Sequence, residues 1–525
     1  MFRSPFPDET IPDQSVFDFL FGDLSEADAA RVALVDGPSG AETTYGALRQ
    51  QVLLFAGALA ARGIAPGDVV AVHSPNVPAF ATVFHGTLRA GAAASTVNAL
   101  YTAEEMARQL RASHSKLVFT VSPLAETARA AAAEAGLAPG SVIVLDAEDG
   151  LRAMLQEGHA APDVTIDPAT QVAAIPYSSG TTGFAKGVQL SHRNLVANVA
   201  QCRNMLDITP DDRVLAFLPF FHIYGMTVLL NIALQRRATL VTMPRFDLTQ
   251  FLQLIQDQRI TFVFIAPPVA VALAKHPMVE DFDLSTVRGM MSGAAPLDEA
   301  LGDAVAARLG ITMQQGYGMS ELSPVSHVMP GHLLDTLSIG TVGVLIPNQE
   351  AKIVDIDSGQ EIEKDPSGPS ATGELWVRGP NVMLGYLDDP EATAHTIDAD
   401  GFLHTGDIAL INPDDSFQIV DRLKELIKYK GYQVAPAELE ALLLTHPEID
   451  DAAVVAAADE ESGEIPKAFV VRHPGSTIDE DGVMAFVAEH VAPHKKVRAV
   501  AFIDAVPKSS SGKILRKDLK GAGRP

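Results

Sequence analysis

Val172-Ala-Ala-Ile-Pro-Tyr-Ser-Ser-Gly-Thr-Thr-Gly-Phe-Ala-Lys-Gly-Val188 is the stretch on which the reading of this chain turns. An apolar run over 172–177 predicts a strand, which empties into a loop holding Gly180, Gly183 and Gly187, the hydroxyls of Ser179, Thr181 and Thr182, and Lys186. Glycines let backbone approach an anion closely, and amides and hydroxyls then donate to phosphate oxygens. A P-loop nucleotide binder needs Gly directly before its lysine and Ser or Thr after it. Here Ala185 precedes Lys186 and Gly187 follows, so any phosphate is held in another way. A polar surface loop without a ligand would also accommodate Gly-Thr-Thr-Gly.

Outward from this loop, residues 44–330 alternate short apolar strand candidates (69–73, 117–121, 142–145, 214–218, 239–243, 262–266) with helical stretches (45–62, 103–111, 194–205, 249–258, 298–309). That alternation predicts layered α/β structure with largely parallel sheet. Near Gly340 the texture changes to short strands (350–356, 373–377, 417–420) between Gly, Pro, Asn and Asp turns, a small β-rich subdomain over about 340–421. After Asp421 comes a charged junction, then a helix at 437–445 opened by Pro436, then strands at 452–457 and 468–471. The expected organisation is therefore a large unit, 1–421, and a small α+β unit, 422–525, near the usual domain size of roughly 100 residues. The alanine-rich run 128–135 reads as a surface helix.

Composition narrows the function classes. With 39 Lys and Arg against 65 Asp and Glu, the net charge is −26, which disfavours nucleic acid and anionic membranes as bulk partners. Polyphosphate ligands remain open, because local amides, lysines and Mg²⁺ suffice to hold them. Cys202 is the single cysteine, so an intramolecular disulfide and a multi-cysteine zinc site are excluded; within its apolar stretch it reads as a packed thiol rather than a nucleophile. The opening MFRSPFPDET has prolines and acids where a signal peptide needs an apolar run, and the expected location is cytoplasmic.

Four further motifs follow in order: Gly316-Tyr-Gly-Met-Ser-Glu321, His404-Thr-Gly-Asp407, Asp421-Arg422 and Pro507-Lys-Ser-Ser-Ser-Gly-Lys513-Ile-Leu-Arg516. Glu321 offers a hard oxygen for the Mg²⁺ that accompanies ATP, and Tyr317 an aromatic face for adenine. Taken singly, these are a turn, a turn aspartate, a surface cation and a basic tail. With the glycine loop they resemble the acyl-adenylate-forming enzymes, which include acyl-CoA synthetases, peptide-synthetase adenylation domains and luciferases. The segment Arg422-Leu-Lys-Glu-Leu-Ile-Lys-Tyr-Lys-Gly-Tyr-Gln433, with Phe220-Phe-His-Ile-Tyr224 and Ser292-Gly-Ala-Ala-Pro-Leu297, is most similar to 4-coumarate–CoA ligases and firefly-type luciferases.

The resemblance implies an ATP-dependent carboxylate–CoA ligase with ATP, Mg²⁺ and coenzyme A as cofactor and co-substrates. It places Ser178, Ser179, Gly180, Thr181, Thr182, Gly183, Lys186, Gly316, Tyr317, Gly318, Ser320, Asp407, Arg422 and Lys513 on the nucleotide, and Thr182 and Glu321 on the metal. Lys513 would act in adenylation, and Lys424 would be the hinge on which the tail rotates between half-reactions. His222 would gate the acid pocket, lined by Tyr224, Ala294, Gly316, Gly318, Pro324 and Val325, with the two glycines leaving a flat slot. Lys428, Gly431 and Gln433 would meet the acyl-adenylate or CoA. Two departures stand out: Ser320 replaces the family's usual Thr, keeping the hydroxyl, and Leu322-Ser323 replaces the Ala-Gly common in plant members, which reshapes the pocket. The expected acid is cinnamate- or 4-coumarate-like. A medium- or long-chain fatty acid, another acceptor such as a carrier-protein thiol, and a non-catalytic nucleotide sensor are the alternatives, and His222 as a packed core residue is the bland one.

Overall fold

Runs such as Val69-Val-Ala-Val-His73 are apolar on both faces, and only a strand covered on both sides by helices buries such a run. In the computed structural model, which describes residues 1–178, 185–430, 432–459, 462–509 and 512–521, these runs form the middles of two large sheets. Val69–His73 pairs in parallel with Ala93–Val97 on one side and Ser115–Thr120 on the other. In the second sheet, Arg213–Ala216 pairs in parallel with Thr239–Thr242 and Phe262–Ile265, and Gly289–Ser292 and Thr312–Gly318 continue it. One apolar cluster joins both sheets: Val70 and Phe84 belong to it, as do Val214 and Phe264. The α/β layers expected from the sequence are present.

A third sheet runs Phe2–Arg3, Glu350–Val354, Gly373–Arg378, Leu403–Ile411, Phe417–Arg422, antiparallel at each pairing, around its own core of Leu375, Val377, Leu403 and Phe417. It is stitched to its neighbours. Between its strands Gly373–Arg378 and Leu403–Ile411, the short strand Gly385–Tyr386 pairs instead with Lys186–Ser191 at the edge of the first sheet. The tail carries a fourth sheet, centred on the long pair Ile449–Asp459 and Gly463–Arg472, with helices Pro436–Leu444 and Glu480–His490 and a separate apolar core.

The alanine-rich run forms the expected surface helix, Ala125–Glu134: Glu126, Arg129, Ala130, Ala133 and Glu134 are exposed, while Ala128, Ala131 and Ala132 pack against Met106 and Leu110, so alanine here serves close packing on one face. Cys202 is buried, and burial pushes its thiol pKa upward, away from the thiolate a nucleophile requires.

Candidate active site

Strand ends converge on one cleft of about 820 Å³ between the large unit and the tail. The strand Thr312–Gly318 delivers Gly316, Tyr317 and Gly318, and its antiparallel neighbour Val325–Val328 follows after a short helical turn, Ser320–Leu322, that carries Ser320 and Glu321. From the third sheet, Asp407 and Arg422 stand directly opposite each other across adjacent strands. From the tail, Lys513 and Ser509 close the rim beside Lys424. The half-buried Tyr317 ring lies 5.8 Å from that of His327, which is itself 4.5 Å from Phe417.

Asp407 is the best-determined group. The Tyr317 hydroxyl donates to its Oδ2 at 2.6 Å and Arg422 Nε lies 3.4 Å from Oδ1. Burial pushes this carboxyl's pKa up, and Arg422 and the Tyr317 hydroxyl pull it back. The Thr405 hydroxyl accepts from the Asp407 amide and donates to the Leu375 carbonyl, fixing the backbone beneath. Glu321 is likewise buried and held: the Tyr386 hydroxyl donates to its Oε1 at 2.9 Å. Lys186 lies 3.2 Å from Asp389 Oδ2 and 4.9 Å from the centre of the Tyr386 ring. Its backbone pairs with Ser178, so the base of the glycine loop is a β-hairpin. Ser179, Gly180, Thr181, Thr182 and Gly183 lie outside the described residues.

Lys513 comes within the field of Arg422, Glu425, Asp407 and Arg516. Burial first, then Arg422, lowers its pKa to about 8. His222 lines the same cleft; burial, then Lys513, lowers its pKa to about 4, so the ring is neutral at pH 7. The Tyr224 amide donates to His222 Nδ1 at 3.3 Å, which leaves the proton on Nε2. His222 is therefore a cleft residue rather than a packed core histidine.

The inner end is apolar. Cys202, Leu206, Val228, Met291, Val325 and Val328 line it, and Tyr224, from the wide π-helical segment Tyr224–Asn231, forms a wall. Tyr224 packs so tightly on Gly293 that a Cβ there would sit 3.0 Å from the ring. Ala294, at φ 72°, and Pro324 also face the cleft. The two glycines differ from the flat-slot expectation in their cause: a Cβ on Gly318 would meet the Pro324 carbonyl oxygen at 2.2 Å, and one on Gly316 would meet the Met291 methyl at 2.5 Å. Their missing side chains admit a neighbouring strand and a packed methionine, not open space.

One expected residue stands apart. Lys428 is exposed, outside the cleft lining, with its amide donating to Glu464. Gly431 and the Gln433 side chain lie outside the described residues. Conversely, the sequence reading passed over Tyr386, Asp389, Thr405, Glu425 and Arg516. Tyr386 and Asp389 sit in an ordinary-looking turn before Pro390, and no local pattern marks them.

A nucleotide-sized cleft with a buried carboxylate on one wall and a lysine delivered by a second unit defines an adenylate-forming enzyme fold. Comparisons agree: residues 24–387 match the AMP-binding enzyme family and residues 438–513 match the AMP-binding enzyme C-terminal domain. The chain belongs to the AMP-binding enzymes. It is 44% identical to 4-coumarate–CoA ligase 2 of Solanum tuberosum, over 99% of this chain and 96% of that protein. Among solved structures it resembles ATP-bound MatB from Rhodopseudomonas palustris, with a TM-score of 0.87 and 30% identity over 97% of this chain and 98% of that one. Against the apo form of that protein the TM-score is 0.77, at 30% identity over 97% of this chain and 98% of that one. No helix among the described residues is long and apolar enough to cross a membrane.

Proposed function

We propose that this AMP-forming acid–thiol ligase joins a planar aromatic acrylate of the cinnamate or 4-coumarate type to coenzyme A through an acyl-adenylate. The observation that carries the reading is Lys513: a residue of the tail enters the cleft that also holds Asp407, Arg422, Glu321 and His222. Identity of 44% to a protein named 4-coumarate–CoA ligase supports the acid and the acceptor.

A carboxylate cannot expel oxide, so it attacks the α-phosphorus of ATP, forming a carboxyl–phosphate bond and breaking the bond to pyrophosphate. Asp407 takes the ribose hydroxyls, with Arg422 as a donor beside it, and Tyr317 offers its ring to adenine. Ser178, Lys186 and the glycine loop between them hold phosphate oxygens, and Ser320 donates to the nucleotide. Glu321 suits Mg²⁺: it is a buried hard-oxygen donor with Oε1 fixed by Tyr386, in line with Thr182 as the loop's metal ligand. Bound there, the ion would neutralise phosphate charge. Lys513 lowers the repulsion between the two anions. The thiolate of CoA, its proton given up to solvent, then attacks the acyl carbon, forming the carbon–sulfur bond as the bond to AMP breaks and AMP leaves with the electron pair.

The tail, 422–525, turns about Lys424 between these steps, exchanging Lys513 for the face bearing Lys428, Gly431 and Gln433. The higher TM-score against the ATP-bound form of MatB than against its apo form supports assigning this structure to the adenylation orientation. A cytoplasmic location accompanies the reading, since ATP and CoA are supplied there. No nucleic acid or membrane partner enters the scheme.

The apolar inner end favours one second reading, a medium- or long-chain fatty acid. Pyrophosphate release with cinnamates, benzoates and C6–C16 acids separates the two. For the mechanism, Lys513→Ala is expected to abolish adenylate formation and to leave thioesterification of supplied acyl-adenylate intact. Survival of both steps would remove Lys513 from the chemistry.

A further inference from the structure

Helix Pro436–Leu444 belongs to the tail, yet a charged side chain of the large unit meets each of its ends. At its start, Ala435 supplies no side-chain cap and Pro436 has no N–H, so the first free donor is the Ala437 amide. That amide donates 2.9 Å to Oδ2 of Asp421, a residue of strand Phe417–Arg422 in the third sheet. Asp421 is 5% exposed, and its other oxygen accepts from the Arg422 amide at 2.6 Å, so the carboxylate is aimed before the helix arrives. At the far end, the ammonium of Lys275 donates to the Leu444 carbonyl at 3.4 Å. A carboxylate at a helix N-terminus and an ammonium at its C-terminus are the two signs the helix dipole favours.

Lys275 is the last residue of helix Pro267–Lys275, and the residue before the first turn of that helix, Ala266, meets the lysine loop: a Cβ on Gly512 would lie 3.2 Å from the Ala266 Cβ. One helix of the large unit therefore touches the tail beside Lys513 and again at Leu444.

We infer that Asp421 and Lys275 are positioning residues that clasp helix Pro436–Leu444 by its two ends and so hold the tail in the orientation that brings Lys513 into the cleft. Neither touches the reacting atoms. The clasp must open whenever the tail turns, because both contacts cross between the units. Its strength thus biases the first half-reaction against the second. This rests on the two-step reaction proposed above.

The test measures both half-reactions in the full chain: pyrophosphate release with acid and Mg-ATP, and thioester formation from supplied acyl-adenylate and CoA. For Asp421→Ala the ratio of the first rate to the second is expected to fall roughly fivefold, the scale of one lost charged cap. Asp421→Asn, whose amide oxygen still accepts, recovers part of that ratio. Lys275→Glu, at an exposed site with no cost to the core, lowers it about twofold. A parallel fall in both steps, or an unchanged ratio, overturns the clasp. If Asp421→Ala does not fold, Lys275→Glu and Asp421→Asn decide alone. If the unaltered chain releases no pyrophosphate with any acid, it is the two-step reading that fails.

Discussion

At the scale of single residues, burial moves the titrations of the cleft's ionisable groups away from their ordinary values. Asp407 is buried with one guanidinium and one phenol as partners, and its removal would leave both of them without a buried acceptor. Asp407→Ala is expected to raise the KM for ATP by about 10- to 100-fold, the scale of losing hydrogen bonds to a charged group, with a much smaller change in KM for the acid. Steady-state pyrophosphate assays varying each substrate separately distinguish the two; equal shifts would place Asp407 elsewhere in the scheme. Lys513 makes a pH prediction. Its folded-state pKa is lowered to about 8 by burial and by Arg422, so the ammonium that the proposed adenylation step needs is present at pH 7 and lost as pH rises through 8. The kcat/KM for adenylation is expected to fall towards tenfold per unit above that point, because kcat/KM reports the free enzyme. His222, neutral down to about pH 4, contributes no inflection between 5 and 9. A flat profile to pH 10 would contradict the lysine's role.

Between elements, the tail's own integrity depends on Arg516, which bonds Glu440 at 2.6 Å and also Glu425 and the Val454 carbonyl, tying the helix Pro436–Leu444 to a strand and to the junction after Lys424. Breaking a buried pair from one side strands the partner charges, so Arg516→Met is expected to destabilise the tail by about 3 kcal/mol, read as an early separate transition in thermal unfolding. This network was invisible in the sequence, where Arg516 closes the Lys513 motif with no role of its own, because Glu425 and Glu440 lie 91 and 76 residues away. Elements made by local pattern were legible: 69–73 and 45–62 appear as Val69–His73 and Tyr45–Ala61. Strand Leu403–Ile411 was missed, because His404-Thr-Gly-Asp407 reads as a turn; in the structure it is the strand that presents Asp407. Helix Pro78–Arg89 was missed as well, since it is buried nearly all round and so has no polar face to set a period. The site followed the same division. Gly316 to Glu321, Asp407, Arg422 and Lys513 line one cleft and Lys428 does not, whereas Tyr386 and Asp389, which hold Glu321 and Lys186, are defined only by the strand that pairs with the first sheet. Gly318 was legible as a site glycine for the wrong reason; Gly318→Ala is expected to push Pro324 outward and lower both stability and activity, whatever acid is supplied.

For the whole molecule, the central physical problem is that an acidic protein of net charge −26 must bring two anions together. Lys186, Arg422, Lys424 and Lys513 are gathered in one cleft, three of them at or beyond the junction with the tail, and in the proposed scheme they offset the repulsion between those anions. The large unit and the tail have separate apolar cores, and the cluster that bridges the junction is small, formed by buried Ile408, Leu426 and Ala435. A chain ended after residue 421 therefore keeps the large core intact and is expected to unfold in one cooperative transition. It retains Tyr317, Glu321 and Asp407, so it should still bind Mg-ATP, more weakly for lack of Arg422. What it lacks is Lys513, proposed above to stabilise charge where carboxylate and α-phosphate meet, a contribution on the order of 100- to 1,000-fold in rate for a single positioned donor. Pyrophosphate release by this fragment is expected to fall by at least that much while nucleotide binding, followed by calorimetry, persists. A fragment that adenylates as fast as the full chain would mean that the large unit alone overcomes the repulsion, and that the tail serves only the transfer to the thiol.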